Sequence, residues 1–319
     1  MPLGLARANT YGAGILDLVL TDPVEGGPMP AIVVYPAHAH GPPTQRGPFV
    51  VDAVANAAPA AGPFPLIVFS HGTGGSLMGH HGSLIALARA GFVAAAVEHP
   101  RDNFRDDSGF ATDLQLVGRP HHIVALIEGV LAHAAAGPLV DPARIGMSGH
   151  SAGGYTALLI AGAVPNFTLQ EGYRRAVPYD PLRARADAAG RERRKPDLAY
   201  VSDRRVRAIF LMAPALGYVF DRAGLAKVEV PVRLYRPSAD ELLAHPWNAE
   251  RIAQMLPRPP EYQVLEGAGH FVFLAPCPSA FAARIPVICT DPPGIDRAAI
   301  HARLNAEMVD FFRRALAPK

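Results

Sequence analysis

The glycine-flanked serine in Gly149-His150-Ser151-Ala152-Gly153 is where residue type and spacing in this chain first suggest covalent chemistry. A serine hydroxyl is a weak nucleophile at neutral pH. It becomes an effective one when a base lies within hydrogen-bond reach and an acid orients that base. The run before it, Arg144-Ile145-Gly146-Met147-Ser148, reads as a short buried strand, and residues 152–163 read as an Ala/Leu helix. On a sharp turn between two such elements the serine stands clear of the sheet with its hydroxyl exposed. The flanking glycines permit the tight backbone and the close approach of helix to strand.

The base must lie on a loop at the same edge of the sheet, where the carboxyl ends of the strands gather. His270, in Glu266-Gly267-Ala268-Gly269-His270-Phe271, follows the last expected strand on a Gly-rich loop; among thirteen histidines it has this late placement. Asp240, in Pro237-Ser238-Ala239-Asp240-Glu241, follows a strand at 231–235 and is the candidate acid, with Glu241 as its reserve. Asp203 and Asp221 follow no clear strand, and Asp291 comes after the histidine. Acyl transfer also needs preset N–H donors for the charge that develops on the carbonyl oxygen, and losing one costs about 10²–10³ in rate. The Ala152 amide is one candidate. The other is Thr73, in the loop Ser70-His71-Gly72-Thr73-Gly74-Gly75 after an early strand, where the glycines let amides turn inward.

Other chemistries find less support. The pairs His38-x-His40, His80-His81 and His121-His122 have no neighbouring carboxylate or cysteine at ligand spacing, so no metal is expected. Phosphate-cradling glycine motifs are missing, and no cofactor is expected. A net charge of +2, from 30 basic and 28 acidic residues with no basic stripe, argues against nucleic acid as a partner. No apolar run reaches the ~18 residues of a membrane span. The two cysteines, Cys277 and Cys289, share one Pro-rich loop segment beyond His270 and are expected to pair with each other. Such a pair favours an oxidising compartment, secreted or periplasmic, whereas unpaired thiols favour the cytoplasm. The start of the sequence lacks the charged and apolar stretches of a signal peptide, so an export signal has been removed or the protein is cytoplasmic.

Elements must place these groups. With 319 residues, half of them hydrophobic, one large core is expected and a single domain over 1–319. Residues 15–20 and 31–35 read as an antiparallel hairpin at a sheet edge, and 36–63, rich in Pro, Gly and Ala, as a surface loop. Strands at 66–69, 92–97, 144–148, 207–212, 231–235 and 262–265 then alternate with helices at 82–90, 120–131, 152–163, 248–256 and 296–316. That rhythm implies an α/β fold with about eight strands in a mostly parallel sheet, connected by right-handed crossovers, with helices on both faces. Residues 164–205 break it. They are polar, with Arg191-Glu192-Arg193-Arg194-Lys195, and read either as a solvated excursion or as a cap over the site.

The chain resembles α/β-hydrolases, and within them the bacterial group labelled predicted dienelactone hydrolases, related to platelet-activating-factor acetylhydrolases and cutinase-like polyester-cleaving enzymes. The residues that carry the resemblance are Phe69-Ser70-His71-Gly72, Glu98-His99-Pro100, Gly149-His150-Ser151-Ala152-Gly153-Gly154, Gly267-Ala268-Gly269-His270-Phe271, Ala275-Pro276-Cys277 and Cys289-Thr290-Asp291-Pro292-Pro293. It spans most of the chain and implies an α/β-hydrolase fold, a serine carboxylic ester hydrolase working through an acyl-enzyme, and export. Two departures bear on it. Dienelactone hydrolases use cysteine where this chain has Ser151, so the label says little about substrate. The acetylhydrolases take their acid after the sixth strand, where Leu211-Met212-Ala213-Pro214 offers none; this supports Asp240, as in the cutinase-like enzymes. A small or polymeric ester is the expected substrate. An amidase or acyltransferase would use the same triad, and a non-catalytic binding protein would have no use for an intact one.

Overall fold

The computed structural model describes residues 11–38, 41–190, 195 and 197–318. It opens on an antiparallel pair, β1 (Gly12–Thr21) and β2 (Pro28–Ala37). Three short strands follow: β3 (Thr44–Arg46), β4 (Phe49–Val51) and β5 (Val54–Ala55). Strands then alternate with helices through β6 (Phe64–Ser70), α1 (His81–Arg89), β7 (Val93–Val97), α2 (Arg119–Ala132), β8 (Val140–His150) and α3 (Ala152–Ile160). After α4 (Gln170–Ala176) and α5 (Pro181–Ala189) come β9 (Val206–Met212), the single turn α6 (Arg222–Leu225), β10 (Val232–Pro237), α7 (Ala249–Met255) and β11 (Glu261–Leu265). Two short helices, α8 (Ser279–Ala282) and α9 (Pro286–Cys289), precede the last, α10 (Arg297–Ala315).

Among the described residues the main sheet has nine strands in the order β11-β10-β9-β8-β6-β7-β2-β1-β5. From β6 to β11 the pairings are parallel, while β2 joins β7 and β1 antiparallel. The central strands β6 and β7 are buried throughout and β9 over all but one residue, and the strand period of two divides the core. Leu66, Val68, Val93, Ala95, Ile209 and Leu211 pack towards α2 and α3. Ile67, Phe69, Ala94, Ala96, Phe210 and Met212 pack towards α1 and α10. Helix α10 shows why its sequence is helical. Asp296 accepts from the Ala299 amide at 3.0 Å as its cap, and Leu304, Met308, Phe311 and Phe312 fall on one buried stripe. Each such side chain contributes about 1.5–3 kcal/mol by leaving water.

Strand order fixes where the site lies. The chain runs from β6 to β7 on one side and returns through α2 to β8 on the other. The loops after β6 and β8 therefore part at a topological switch point, which leaves a crevice between them. That crevice holds both the Gly72–Gly75 turn and Ser151.

The structure departs from the sequence reading in its short elements. Segment 36–63 is more than a surface loop: β3 and β4 pair with each other, and β5 adds to β1 as a ninth strand. Strands of two or three residues carry no readable period. Strand β8 begins at Val140 rather than at 144, with a register shift against β6. Helix α3 stops at Ile160, short of 163, because the chain turns at Gly162 with φ +103° against Lys227. Among the described residues of 164–205, a 3₁₀ turn at Phe167–Leu169 is followed by the two α-helices α4 and α5. Asp180 caps α5 by accepting from the Arg183 amide at 2.8 Å. Tyr173 of α4 stacks on Tyr218, ring centroids 4.0 Å apart, and meets Trp247 edge-on. Arg185 of α5 lies over the Phe110 ring and pairs with Asp107. Arg191, Glu192, Arg193 and Arg194 lie outside the described residues, as does His40.

Candidate active site

Ser151 occupies the turn between β8 and α3 with φ +54° and ψ −117°. A non-glycine residue in that region costs on the order of 1–3 kcal/mol, and persists only where its surroundings over-determine it. Here they do. The Ser151 amide donates to the Met212 carbonyl at 2.9 Å, and the Ser151 carbonyl accepts from Gly154 and Ala215 at 2.9 and 3.0 Å. Every flanking glycine is needed for space. A Cβ on Gly149 would lie 2.1 Å from the Gly153 carbonyl oxygen, one on Gly153 1.9 Å from that of Ser70, and one on Gly154 2.7 Å from Pro214. The pattern therefore records close passage of β8, α3, β6 and the loop after β9.

The loops after β10 and β11 bring the acid and base together. His270 Nδ1 lies 2.9 Å from Asp240 Oδ2, and both side chains are buried. The other carboxylate oxygen accepts from the Leu242 and Leu243 amides at 2.9 and 2.8 Å, so the carboxylate has little freedom to turn. The two loops are also tied to each other. Ala239 donates to Ala268 and Ser238 to Leu265, each at 3.0 Å, and the Ser238 hydroxyl accepts from the Gly267 amide at 2.7 Å. Glu241 does something else: its Oε2 accepts from the His270 amide at 2.9 Å, capping the 3₁₀ turn that starts there. It contacts the main chain of the histidine, whereas Asp240 contacts the ring.

Ser151 meets this pair through its neighbour. The His150 ring lies over His270 with centroids 4.8 Å apart, and its Nε2 donates to the His270 carbonyl at 3.2 Å. No hydrogen bond joins Ser151 Oγ to the His270 ring among the described residues. Such contacts are often long in unliganded enzymes and tighten with substrate. Burial drives the His150 imidazole well below the usual histidine range, with the neighbouring His270 adding to the effect. His150 is therefore a neutral prop. Sequence reading passed over it because the second position of the motif carries no fixed residue type.

The loop after β6 lies against the serine. A Cβ on Gly72 would sit 3.3 Å from Ser151 Cβ and 3.1 Å from His150 Nδ1. Gly72, next to Thr73, thus lies against Ser151, which Ala152 follows in the chain, and neither the Thr73 nor the Ala152 amide donates to another group among the described residues. Cys277 and Cys289 are joined in a disulfide. The histidine pairs diverge: His122 is buried against His99, while His121 bonds the Ala199 carbonyl near the surface. Among the described residues no three His, Cys, Asp or Glu side chains cluster as metal ligands, and no helix is long and apolar enough to cross a membrane.

Residues 47–118 match the family described as platelet-activating factor acetylhydrolase, isoform II. That stretch carries β6, the Thr73 loop, α1, β7 and the loop beyond. Among solved structures, a ferulic acid esterase from Streptomyces cinnamoneus superposes with a TM-score of 0.63 at 21% identity, over 98% of this chain and 92% of that one. No curated protein sequence matches the chain. The strand order, the serine on a strained strand-to-helix turn and this superposition give the chain an α/β-hydrolase fold.

Proposed function

We propose that the chain is a serine carboxylic ester hydrolase. The observation that carries this reading is the buried Asp240–His270 pair, set beside a serine whose backbone is held in a strained turn. Asp240 accepts a hydrogen bond from Nδ1–H and so leaves Nε2 as the basic nitrogen. Nε2 takes the Ser151 proton as Oγ attacks the ester carbonyl. The amides of Thr73 and Ala152 receive the oxyanion. Collapse of the tetrahedral adduct returns the proton to the leaving alcohol and yields an acyl-enzyme; water then repeats the sequence and releases the acid. These steps need no metal or redox cofactor. Within a single domain over 1–319, the excursion 164–205 serves as a cap, a role supported by the packing of α4 on Tyr218 and Trp247 and of α5 on Phe110.

The test is hydrolysis of p-nitrophenyl esters of rising acyl length, with a hydroxycinnamate methyl ester added because of the structural neighbour, beside Ser151→Ala. A fluorophosphonate should label the parent and leave the variant unlabelled. Loss of at least about 10³-fold in kcat is expected. Equal rates for the two proteins would falsify the assignment, and ester formed in the presence of added alcohol would redefine the enzyme as a transferase.

A further inference from the structure

Behind the Thr73 loop lies a polar cluster that the reaction does not touch. Asp102 and Gln115 come from the segment between β7 and α2 and Arg119 opens α2; the three are buried, at 1%, 5% and 0% exposure. Asp102 Oδ1 accepts from the Gly74 amide at 3.0 Å. Gln115 Nε2 donates to Thr73 Oγ1 at 2.7 Å and to Asp102 Oδ2 at 2.8 Å. Its Oε1 accepts from the Ala111 amide at 2.9 Å, which settles which way the carboxamide faces. The Arg119 guanidinium donates to the His71 carbonyl and lies 3.5 Å from Asp102 Oδ2. Two further bonds close the frame: His99 N donates to His71 Nε2 at 3.1 Å and Phe104 N to the Gly75 carbonyl at 3.0 Å. Residues 71, 73, 74 and 75 are thus each held by the same segment.

We infer that Asp102, Gln115 and Arg119 are positioning residues that hold the Thr73 amide where the oxyanion forms. This rests on the ester-hydrolase reading of Ser151. The glycines around Thr73 leave its backbone soft, and Gly74 has φ +64°. A preset donor helps catalysis because it need not reorganise as charge develops, so a soft loop requires outside support. A bare carboxylate behind the oxyanion would oppose that charge. Arg119 neutralises Asp102, so the carboxylate anchors Gly74 without that penalty. Burial lowers the guanidinium only to about 10, and it stays protonated at neutral pH.

Removing Asp102 or Arg119 would strand a buried charge and risk the fold. The test therefore cuts the neutral link, with Gln115→Leu, Thr73→Val and the double variant assayed on p-nitrophenyl butyrate. Each single change is expected to lower kcat about tenfold while KM stays within about threefold, a smaller effect than the loss of a whole donor. The double variant should be no worse than the poorer single, because both remove one contact. The Ki of phenylboronic acid, whose tetrahedral serine adduct places an oxygen in the oxyanion position, should rise by the factor by which kcat/KM falls. A purely structural link would lower the melting temperature without that proportionality. Singles within about twofold of the parent kcat, multiplicative losses, or an unchanged boronate Ki would each overturn the inference. Thr73 lies on a partly exposed loop, so Thr73→Val keeps the test alive if Gln115→Leu does not fold. Ser151→Ala is run in parallel. If it remains active, the hydrolase reading falls; if it is dead while Gln115→Leu keeps the parent rate, only the bracket falls.

Discussion

Asp240 and Glu241 are adjacent carboxylates with different partners. Asp240 faces the imidazole Nδ1, and Glu241 faces the main-chain amide of the same histidine. An amide in place of the first gives up the charge that steadies the imidazolium and offers N–H to a nitrogen that needs an acceptor. An amide in place of the second still presents an oxygen to the His270 amide. Asp240→Asn should therefore lower kcat by roughly 10²–10⁴. Glu241→Gln should cost no more than about tenfold, the ~1 kcal/mol scale of one neutral hydrogen bond. Steady-state kinetics on one ester separates them, and similar losses would refute the division of roles. The sequence narrowed the acid to these two positions because both follow β10. It favoured Asp240 and kept Glu241 in reserve; which atoms each side chain reaches is visible only in the folded chain.

Elements set the precision of the site unevenly. His270 follows β11 on a loop tied to the loop after β10, whereas the chain beyond it is held by other means. Ala275 donates to the Gly79 carbonyl at 2.9 Å, the disulfide closes 277–289, and Arg297 grips Asp291 with two bonds of 2.8 Å each and the Ile288 carbonyl with a third. The disulfide constrains the unfolded chain, and opening a loop of this length costs about 3 kcal/mol. None of its contacts reaches the His270 ring. Replacing both cysteines by serine should lower the unfolding free energy read from urea titration by that amount and leave kcat within about twofold; a collapse of kcat with stability preserved would mean that the arm, rather than Asp240 and Glu241, orients the base. The same unevenness governs what the sequence revealed. Strands β6 to β10 were legible because unbroken apolar runs bounded by turns allow few other structures. The candidate positions of Ser151 and Thr73 were legible because they follow such strands, and that of His270 because it follows β11. Strands β3 to β5 were too short to show a period. Asp102, Gln115 and Arg119 were illegible for another reason: they lie on irregular chain, on a π-helical turn, Leu114–Gly118, and at the first position of α2, and meet only after folding.

At the scale of the whole molecule, six imidazoles besides that of His270 are buried among the described residues. His71, His80, His99, His122, His150 and His301 are all buried, and desolvation is the first cause lowering each below its ordinary value. They form linked groups: His99 bridges Ser70 and His122, and His80 faces His150, His301 and His81. In the folded state these rings stay neutral below the pH at which the unfolded chain protonates them, about 6.5. The sign follows. Above that pH neither state binds the proton and stability is full. As pH falls from there towards the folded values, the unfolded chain takes up protons that the folded chain refuses, and stability is lost. His80, held down to about 4, alone contributes a loss of about 3 kcal/mol over that interval. The carboxylates act differently: Asp22 and Asp203, lowered below 3.8, add their loss only at more acid pH, and Glu98, raised above 4.5 by burial, opposes it. The histidines therefore dominate the first part of the acid limb. Urea midpoints should hold steady from pH 8 to about 7 and fall steeply between about 6.5 and 5, with His80→Asn giving a shallower decline. A midpoint unchanged across that interval would show that these rings open to water before they titrate. The same measurement tells whether acid inactivation reflects protonation of the base at the active site or loss of the fold around it, because the activity and stability curves coincide only in the second case.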